Sequence, residues 1–368
     1  MLVSRKVPTA KLFRHVTFIV IDEIHSLAAG DRGNHLLCVL ERIRAYSAKD
    51  FQRIGLSATV GNPDKILDWQ QGSSTNRKML VDPPSVKSRK DISIRFPEGP
   101  TLLADEAIRE ARGVKSLLFC ESRSLAESIS GRMKKTGEQV FVHHSSLSRE
   151  EREDAEKRFF HGAAACIVCT STMELGIDVG DLDKVLQINT PHRVSSFLQR
   201  MGRTGRRSGT VSNTTFLAEG DAEVLQAIAL VELARKHWVE SIRVSDQAWH
   251  ILLHQIMALC LERGAITTDL VWELLHPAYC LAGISREELE RFMAFLLKKE
   301  FLHDDGGMYS MGLAAEKAFG RKNFMELYAV FSTPAEFTVI GLSGDPIGTI
   351  ETLFLEKILE ANASFYLG

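Results

Sequence analysis

One short stretch near the amino terminus constrains the fold more than any other part of the sequence. Residues 16–21 are six apolar or β-branched residues in a row, and Asp22 and Glu23 follow them directly. An apolar run without polar alternation is typical of a strand that is buried on both faces, as in a parallel sheet covered by helices. Ligands of such sheets bind beyond the carboxyl ends of the strands, so we expect both carboxylates to lie at a ligand-binding edge.

The two carboxylates have the pattern of a Walker B motif. After such a strand, one carboxylate can hold the Mg²⁺ ion that bridges nucleotide phosphates, and the next can orient or deprotonate the attacking water. On this interpretation Asp22 binds Mg²⁺ together with ATP, and Glu23 acts on the water. The pair alone is equally compatible with an acidic loop after a buried strand, and the motifs further along the chain distinguish the two interpretations.

Length and composition indicate a globular protein of several domains. The chain has 368 residues, 45% of them hydrophobic and 25% charged, and this length suggests roughly two to four domains. The net charge of −2 gives no global basicity, so any nucleic-acid surface has to be local. No apolar run approaches the roughly 20 residues that span a bilayer, and we expect a cytoplasmic protein without membrane contact.

The six cysteines predict buried thiols in a reducing compartment. Cys166 and Cys169 have the CxxC spacing, but they fall in a run that is typical of a buried strand. Because no second CxxC or nearby histidine completes a zinc site, the spacing favours core packing over metal binding.

Strand and helix patterns alternate from residue 102 to residue 217. This alternation predicts a doubly wound α/β domain, whose parallel strands place their carboxyl-end loops on one edge. Its predicted strands are residues 116–120, 139–143, 166–170, 184–188 and 210–217. Before it, residues 53–56 and 79–81 are predicted strands of the first α/β domain, and the stretch up to Pro100 is predicted to cross between domains.

Helical periodicity replaces the alternation beyond residue 219. Three helices and a hairpin over residues 301–309 predict a winged helix, with a bare helical bundle as the alternative. A β-rich segment starts at Phe337. We therefore predict four domains: the carboxyl-terminal part of a first α/β domain (1–90), a second α/β domain (91–220), a winged-helix-like domain (221–322) and the beginning of a β-rich domain (323–368).

A further motif places four arginines within residues 200–207, separated by glycines. Glycine weakens a helix, so the pattern favours guanidinium groups that reach phosphate oxygens over a helix that is merely solvated. An arginine that is presented to a γ-phosphate stabilises the charge that spreads over the transferred group. An exposed basic turn is the alternative.

Four segments together resemble motifs II, III, V and VI of the superfamily 2 helicases, in order. They are residues 22–25 (Asp-Glu-Ile-His, a DEIH box of the DEAH type), 57–59 (Ser-Ala-Thr), 170–178 and 199–206. Within that superfamily, residues 32–36, 61–63 and 323–325 resemble the Lhr-type (large helicase-related) family of prokaryotes. The resemblance covers nearly the whole chain and implies that both α/β domains are RecA-like motor domains of the P-loop NTPase type.

The resemblance implies roles for individual residues around ATP and Mg²⁺. Asp22 would coordinate Mg²⁺, Glu23 would position the hydrolytic water, and His25 would link them to neighbouring motifs. Gly176 and Asp178 would approach the nucleotide, and its phosphates would face Gln199, Arg203 and Arg206. Ser57 and Thr59 would couple the nucleotide state to domain movement.

The resemblance also implies a nucleic-acid interface on the second α/β domain. Thr170 and the helix-end groups near Arg123, Ser145 and Ser146 would meet backbone phosphates, because hydroxyls and helix N-termini bind phosphate without reading bases. The implied substrate is single-stranded DNA, tracked with weak sequence preference while a paired DNA or RNA strand is displaced, including an RNA–DNA hybrid, with a link to DNA repair.

One expected motif is missing from the sequence. A helicase of this type needs a P-loop of the form G-x-x-x-x-G-K-[ST], and none of the 368 residues form one. We therefore expect a fragment, cut at both ends, of an ATP-dependent translocase, with no ATPase activity on its own. The alternative is a non-hydrolysing nucleic-acid-binding module, and the retained Asp22, Glu23 and motif VI arginines argue against it.

Overall fold

A computed structural model describes residues 8–82, 89–97, 99–162, 164–174, 180, 182–205, 210–319, 336–340 and 346–351. Contacts divide the chain into two compact units. Unit 1 comprises the described residues of Met1–Leu56, Asp64–Met79 and Arg243–Gly368, and unit 2 those of Ser57–Pro63 and Leu80–Ile242. The predicted division into four domains stays a prediction.

The amino-terminal elements of unit 1 include a small two-stranded parallel sheet. They are α1 (Thr9–Phe13), β1 (Phe18–Ile21), α2 (Ile24–Ala28), α3 (Asp31–Tyr46), β2 (Gln52–Gly55) and α4 (Pro63–Gln71). β1 pairs in parallel with β2, with Phe18 opposite Gln52 and Ile21 opposite Gly55. The strand predicted around Asp22 is therefore present and ends directly before it.

The prediction that β1 is buried on both faces is wrong in this structure. Ile21 is buried, but Phe18 is 59% exposed and Val20 is 49% exposed. Within the part of the chain that the structure describes, β1 pairs with β2 alone. A two-stranded sheet covers few of its own side chains, so apolar residues of β1 stay in contact with solvent.

The carboxyl-terminal half of unit 1 is helical and packs on α3. Its elements are α10 (Trp249–Arg263), α11 (Thr268–Leu275), α12 (Arg286–Lys298), the antiparallel strands β9 (Leu302–Asp305) and β10 (Met308–Met311), and α13 (Leu313–Phe319). The predicted helices and hairpin are thus observed, with the capping box of Ser285 and Glu288 at the start of α12. β11 (Glu336–Ile340) and β12 (Pro346–Glu351) form a second hairpin.

A buried ion pair joins α3 to α10. Arg42 Nη1 donates to Gln255 Oε1 at 2.9 Å, and Arg42 also pairs with Glu262, which accepts a hydrogen bond from Tyr46. The side chains of Arg42 and Glu262 are 3% and 8% exposed. Because buried charges are costly unless they are paired, these contacts fix the position of α10 on α3.

Unit 2 contains a six-stranded parallel sheet with strand order β3-β8-β7-β4-β6-β5. Its elements are β3 (Lys90–Arg95), α5 (Pro100–Ala111), β4 (Ser116–Phe119), α6 (Arg123–Lys135), β5 (Val140–His143), α7 (Arg149–His161), β6 (Cys166–Cys169), β7 (Lys184–Ile188), α8 (Val194–Met201), β8 (Ser212–Leu217) and α9 (Asp221–Arg235). Buried apolar clusters lie on both faces of the sheet. The predicted doubly wound α/β arrangement is confirmed.

Two local predictions about strands are wrong. Residues 79–81 form no strand, and Met79 and Val81 are exposed, since three apolar residues without a pairing partner do not make a sheet. Residues 90–95, for which the sequence predicts an interdomain crossing, form β3 instead. β3 is an edge strand that pairs in parallel with β8, and its alternating polar residues hide it from a search for apolar runs.

The remaining expectations concern thiols and membranes. All six cysteines are free and buried, and burial raises the pKa of Cys166 to about 12. Among the residues that the structure describes, no group of three or more His, Cys, Asp or Glu side chains could hold a metal ion. None of the described helices is long and apolar enough to cross a membrane.

Candidate functional site

The two acidic residues of the Walker B pattern lie at the carboxyl end of β1. Asp22 is exposed, and its Oδ1 accepts a hydrogen bond from the backbone N–H of Glu23 at 2.9 Å. Glu23 has a left-handed backbone conformation, with φ 49° and ψ 41°, immediately before α2. Left-handed conformations of residues other than glycine are costly and concentrate at functional sites, so this strain marks Glu23 as a functional candidate.

Backbone hydrogen bonds extend the pairing of β1 and β2 past Asp22. Leu56 N donates to Ile21 O at 2.8 Å, and Ile24 N donates to Leu56 O at 2.9 Å. The two carboxylates are therefore held on a rigid backbone. Ser57 and Thr59 come after β2 in the chain, and Ser57 Oγ donates to the carbonyl of Ala58 at 2.8 Å.

His25 lies beside the catalytic candidate Glu23. Its Nε2 is 3.4 Å from Glu23 Oε2. Burial lowers the pKa of His25 below its ordinary value, against the opposing effect of the Glu23 and Asp22 carboxylates. The imidazole is therefore neutral near pH 7 and can hold the Glu23 carboxylate without neutralising its charge.

The four predicted phosphate-contacting residues share one edge of the large sheet. Strand register places Phe119 of β4 and His143 of β5 each opposite Cys169 of β6, so the three neighbouring strands end at the same level. The predicted residues lie within four residues of these ends: Arg123 after β4, Ser145 and Ser146 after β5, and Thr170 after β6. Arg123 is the first residue of α6, and both serines are exposed.

The predicted arginine motif begins in α8 and continues beyond it. Gln199 lies in α8, and Arg203 lies two residues after the helix ends and is 7% exposed. Arg203 Nη2 donates to the backbone carbonyl of Glu174. Gly176, Asp178 and Arg206 lie outside the residues that the structure describes.

Arg200 is a residue of this motif that sequence reasoning did not single out. Its Nε donates to Glu174 Oε1 at 2.8 Å, and its Nη1 donates to Gln187 Oε1 at 3.3 Å. The guanidinium carbon lies 4.7 Å from the centre of the Phe119 ring. Arg200 therefore fixes the segment after β6 to α8. The spacing of the arginines in the motif is the only sequence signal that indicated a role for Arg200.

Glu240 is a second residue that sequence reasoning missed. Its carboxylate accepts the backbone N–H groups of Val194 at 2.5 Å and of Ser195 at 3.1 Å, at the start of α8. Arg193, at the N-cap position, makes no side-chain cap, so Glu240 satisfies two N–H groups that the helix leaves unpaired. Burial raises the pKa of Glu240 and these backbone N–H groups lower it, with a net pKa below the ordinary value.

The Gly61-Asn62 part of the family pattern contacts the same segment. Gly61 N donates to Glu240 O at 3.2 Å, and a Cβ at position 61 would clash with the carbonyl oxygen of Val239. The Asn62 side chain donates to Ile242 O at 2.9 Å and accepts from Ile242 N at 2.8 Å. These contacts connect the residues that follow Ser57 and Thr59 to the residue that caps α8.

Comparisons with known proteins match two regions of the chain to helicase families. Residues 2–66 match the family described as DEAD/DEAH box helicase, and residues 100–208 match the family described as helicase conserved C-terminal domain. The chain is 28% identical over 370 residues to the ATP-dependent helicase Lhr-Core protein 2 of Thermococcus barophilus, covering 94% of this chain and 43% of that protein. It is also 28% identical to the ATP-dependent helicase Lhr-Core of Methanothermobacter thermautotrophicus, over 96% of this chain and 44% of that protein.

The fold matches a solved structure of the same type. The structure of Mycobacterium smegmatis helicase Lhr bound to ssDNA and AMP-PNP aligns with a TM-score of 0.79 and 24% identity, over 100% of this chain and 49% of that one. The family matches and these relatives support an Lhr-type helicase of superfamily 2. The Lhr-type fold accounts for both α/β regions, which are the two RecA-like helicase domains. The chain spans less than half the length of the Lhr-type relatives that it matches.

Proposed function

We propose that the chain is part of an ATP-dependent helicase that tracks single-stranded DNA and displaces a paired DNA or RNA strand, including the RNA strand of a hybrid. The observation that carries this proposal is the shared edge of β4, β5 and β6, where Arg123, Ser145, Ser146 and Thr170 follow three neighbouring strands. Hydroxyl groups and a helix N-terminus on one edge suit the phosphates of a single strand. The related Lhr of Mycobacterium smegmatis is bound to ssDNA and AMP-PNP.

The residues of β1 and its end supply the hydrolytic groups in this proposal. Asp22 holds Mg²⁺ through its exposed carboxylate, Glu23 positions the attacking water, and neutral His25 holds Glu23. Magnesium in nucleotide sites takes one or two carboxylates, with phosphate oxygens and waters as its other ligands. One exposed carboxylate at the strand end fits that requirement, and the ion supplies charge neutralisation for the phosphates.

The nucleotide's phosphates are the proposed ligands of the motif VI residues. Gln199, Arg203 and Arg206 bind them, and Gly176 and Asp178 approach the nucleotide. Ser57 and Thr59 couple the nucleotide state to domain movement. The contacts of Gly61 and Asn62 with Val239–Ile242 favour that role, because they fix the position of the segment that follows Ser57 and Thr59.

Further features complete the proposal for the parent protein. The helices α10–α12 with the β9–β10 hairpin are proposed to be a winged helix, and β11–β12 to begin a β-rich domain. We propose a cytoplasmic location and a role in DNA repair. Because the sequence contains no P-loop, the chain alone is proposed to bind a strand without hydrolysing ATP.

Binding of single-stranded DNA by the purified chain tests the proposal. Fluorescence anisotropy with a labelled oligothymidylate should show salt-dependent binding. The variant Arg123→Ala should lose roughly tenfold in affinity, the size of one charged hydrogen bond, and its salt dependence should be shallower by about one phosphate contact. Arg132→Ala is the matched control, since Arg132 lies at the other end of α6 and pairs with Asp105. Equal loss in both variants would contradict the assigned edge.

Phosphate release measured on the same samples tests the hydrolytic part. We expect none above background, with or without the oligonucleotide. DNA-stimulated release that disappears in Glu23→Gln would show that the chain is active on its own and would overturn the proposed need for a P-loop.

A further inference from the structure

A single buried histidine connects two of the loops at the proposed strand-binding edge. His143 is the last residue of β5 and is 2% exposed. Its backbone carbonyl accepts the N–H of Thr170 at 3.3 Å and the hydroxyl of Thr172 at 3.0 Å. The end of β5 is therefore tied to two residues of the short turn that follows β6.

The imidazole of His143 makes two further contacts. Nδ1 lies 2.8 Å from Thr172 Oγ1, and Nε2 lies 2.8 Å from Glu156 Oε1 in α7. Because both ring nitrogens are engaged, the ring cannot rotate without losing two hydrogen bonds. The loop that carries Ser145 and Ser146 runs between β5 and α7, so the same side chain is linked to both flanks of that loop.

We propose that His143, acting with Thr172, is a positioning residue for strand binding. It holds the loops after β5 and β6 in one arrangement, so that Ser145, Ser146 and Thr170 are presented together to successive phosphates. If the two loops became ordered only on binding, binding would cost conformational entropy. Loops that are already ordered avoid this cost, so the affinity is higher. The inference rests on the proposed strand-binding function and adds residues that do not themselves touch the strand.

The experiment compares three threonine variants of the full chain in the oligothymidylate binding assay. Thr172→Val keeps the shape of the side chain and removes the hydroxyl, and it should lower affinity by roughly threefold to tenfold, about one neutral hydrogen bond. Thr172→Ser keeps the hydroxyl and should bind as the unmodified chain does. Thr136→Val is the matched control, because its hydroxyl also donates to a backbone carbonyl, that of Met133 at 2.7 Å, at the carboxyl end of α6.

A double-mutant cycle separates positioning from general stability. If Thr172 acts through Thr170, the effect of Thr172→Val should shrink when Thr170 is already valine. A purely structural role would lower the melting temperature of Thr172→Val and leave affinity below that temperature unchanged. If Thr172→Val does not fold, Glu156→Ala changes a partly exposed side chain, removes the contact to Nε2 and should also weaken binding.

The outcomes distinguish this inference from the function on which it rests. If Arg123→Ala weakens binding while Thr172→Val and Glu156→Ala both bind as the unmodified chain does, His143 has no positioning role and the strand-binding edge stands. If the unmodified chain does not bind oligothymidylate at all, the proposed edge is wrong and this inference falls with it.

Discussion

The two parallel sheets in the described part of the chain contain similar apolar strands and are covered to very different degrees. All four residues of β4 in unit 2 are buried, whereas Phe18 and Val20 of β1 in unit 1 are about half exposed. β4 lies between β6 and β7 in a six-stranded sheet, and β1 has one described neighbour. An apolar run therefore predicts a strand, but its burial depends on how many strands and helices cover it.

The difference implies that the two units are stabilised by different contacts. Apolar clusters on both faces of the large sheet stabilise unit 2. In unit 1 the polar contacts of Arg42 with Gln255 and Glu262 join α3 to a helix that lies more than 200 residues later in the sequence. Three predictions test this comparison, and hydrogen–deuterium exchange can follow each unit separately in the full chain.

The largest effect is expected from Glu262→Ala in unit 1. This substitution leaves the buried Arg42 guanidinium without its carboxylate, and breaking a buried pair in this way costs about 3–5 kcal/mol. Exchange of amides in α3 and α10 should accelerate by about a hundredfold or more. Asp154→Ala is the control, because its pair with Arg158 is exposed on both sides and should contribute less than about 1 kcal/mol. Unchanged amide exchange in Glu262→Ala would show that these polar contacts do not stabilise unit 1.

The second effect compares the two sheets directly. Leu118→Ala in β4 deletes a fully buried side chain from the core and should destabilise unit 2 by about 2–5 kcal/mol, the usual range for such deletions. Val20→Ala in β1 removes a half-exposed side chain and should cost less than about 1 kcal/mol. Exchange in β4–β8 and in β1–β2 measures both. A larger effect of Val20→Ala would mean that β1 is more deeply covered than the structure indicates.

The smallest effect depends on pH and concerns Glu240. Since the pKa of Glu240 is lower in the folded protein than its ordinary value of 4.5, its carboxylate stabilises unit 2 above that pH, and this stabilisation is lost as the pH falls through the folded pKa. Glu240→Gln should destabilise α8 by about 1 kcal/mol at pH 7, as loss of a helix cap does.

Exchange of α8 amides, corrected for intrinsic rates, measures this difference at several pH values. The gap between Glu240→Gln and the unmodified chain should close in acid. A gap that stays constant from pH 7 to below the ordinary glutamate pKa would show that the charge of Glu240 contributes nothing.

Much of the fold follows from local sequence patterns. The apolar run before Asp22, the alternation after residue 102 and the capping box of Ser148 and Glu151 each predicted an element that the structure contains. β3 was not predicted, because an edge strand is half polar. A strand was wrongly predicted at residues 79–81, because apolar character alone does not supply a pairing partner. Burial of β1 was mispredicted since it depends on neighbours that its own residues do not specify.

The candidate site divides in the same way. Asp22 and Glu23 are predicted from their types and their position after a strand, and Thr170 from the resemblance of its segment to a helicase motif. Arg200, Glu240 and His143 were not found, because each acts through a contact with a distant part of the chain, such as the pairing of Glu240 with the start of α8. Sequence patterns locate groups that meet a ligand more readily than groups that hold them in place.

The path of the chain has a consequence for how the protein is made. Unit 2 ends at Ile242, whereas unit 1 combines segments that precede Leu80 with residues from Arg243 onward. During synthesis, all of unit 2 emerges from the ribosome before Gln255 and Glu262, which are the partners of Arg42. The parts of unit 1 that precede Leu80 are therefore completed only after unit 2, and Arg42 lacks its buried partners until Glu262 has emerged.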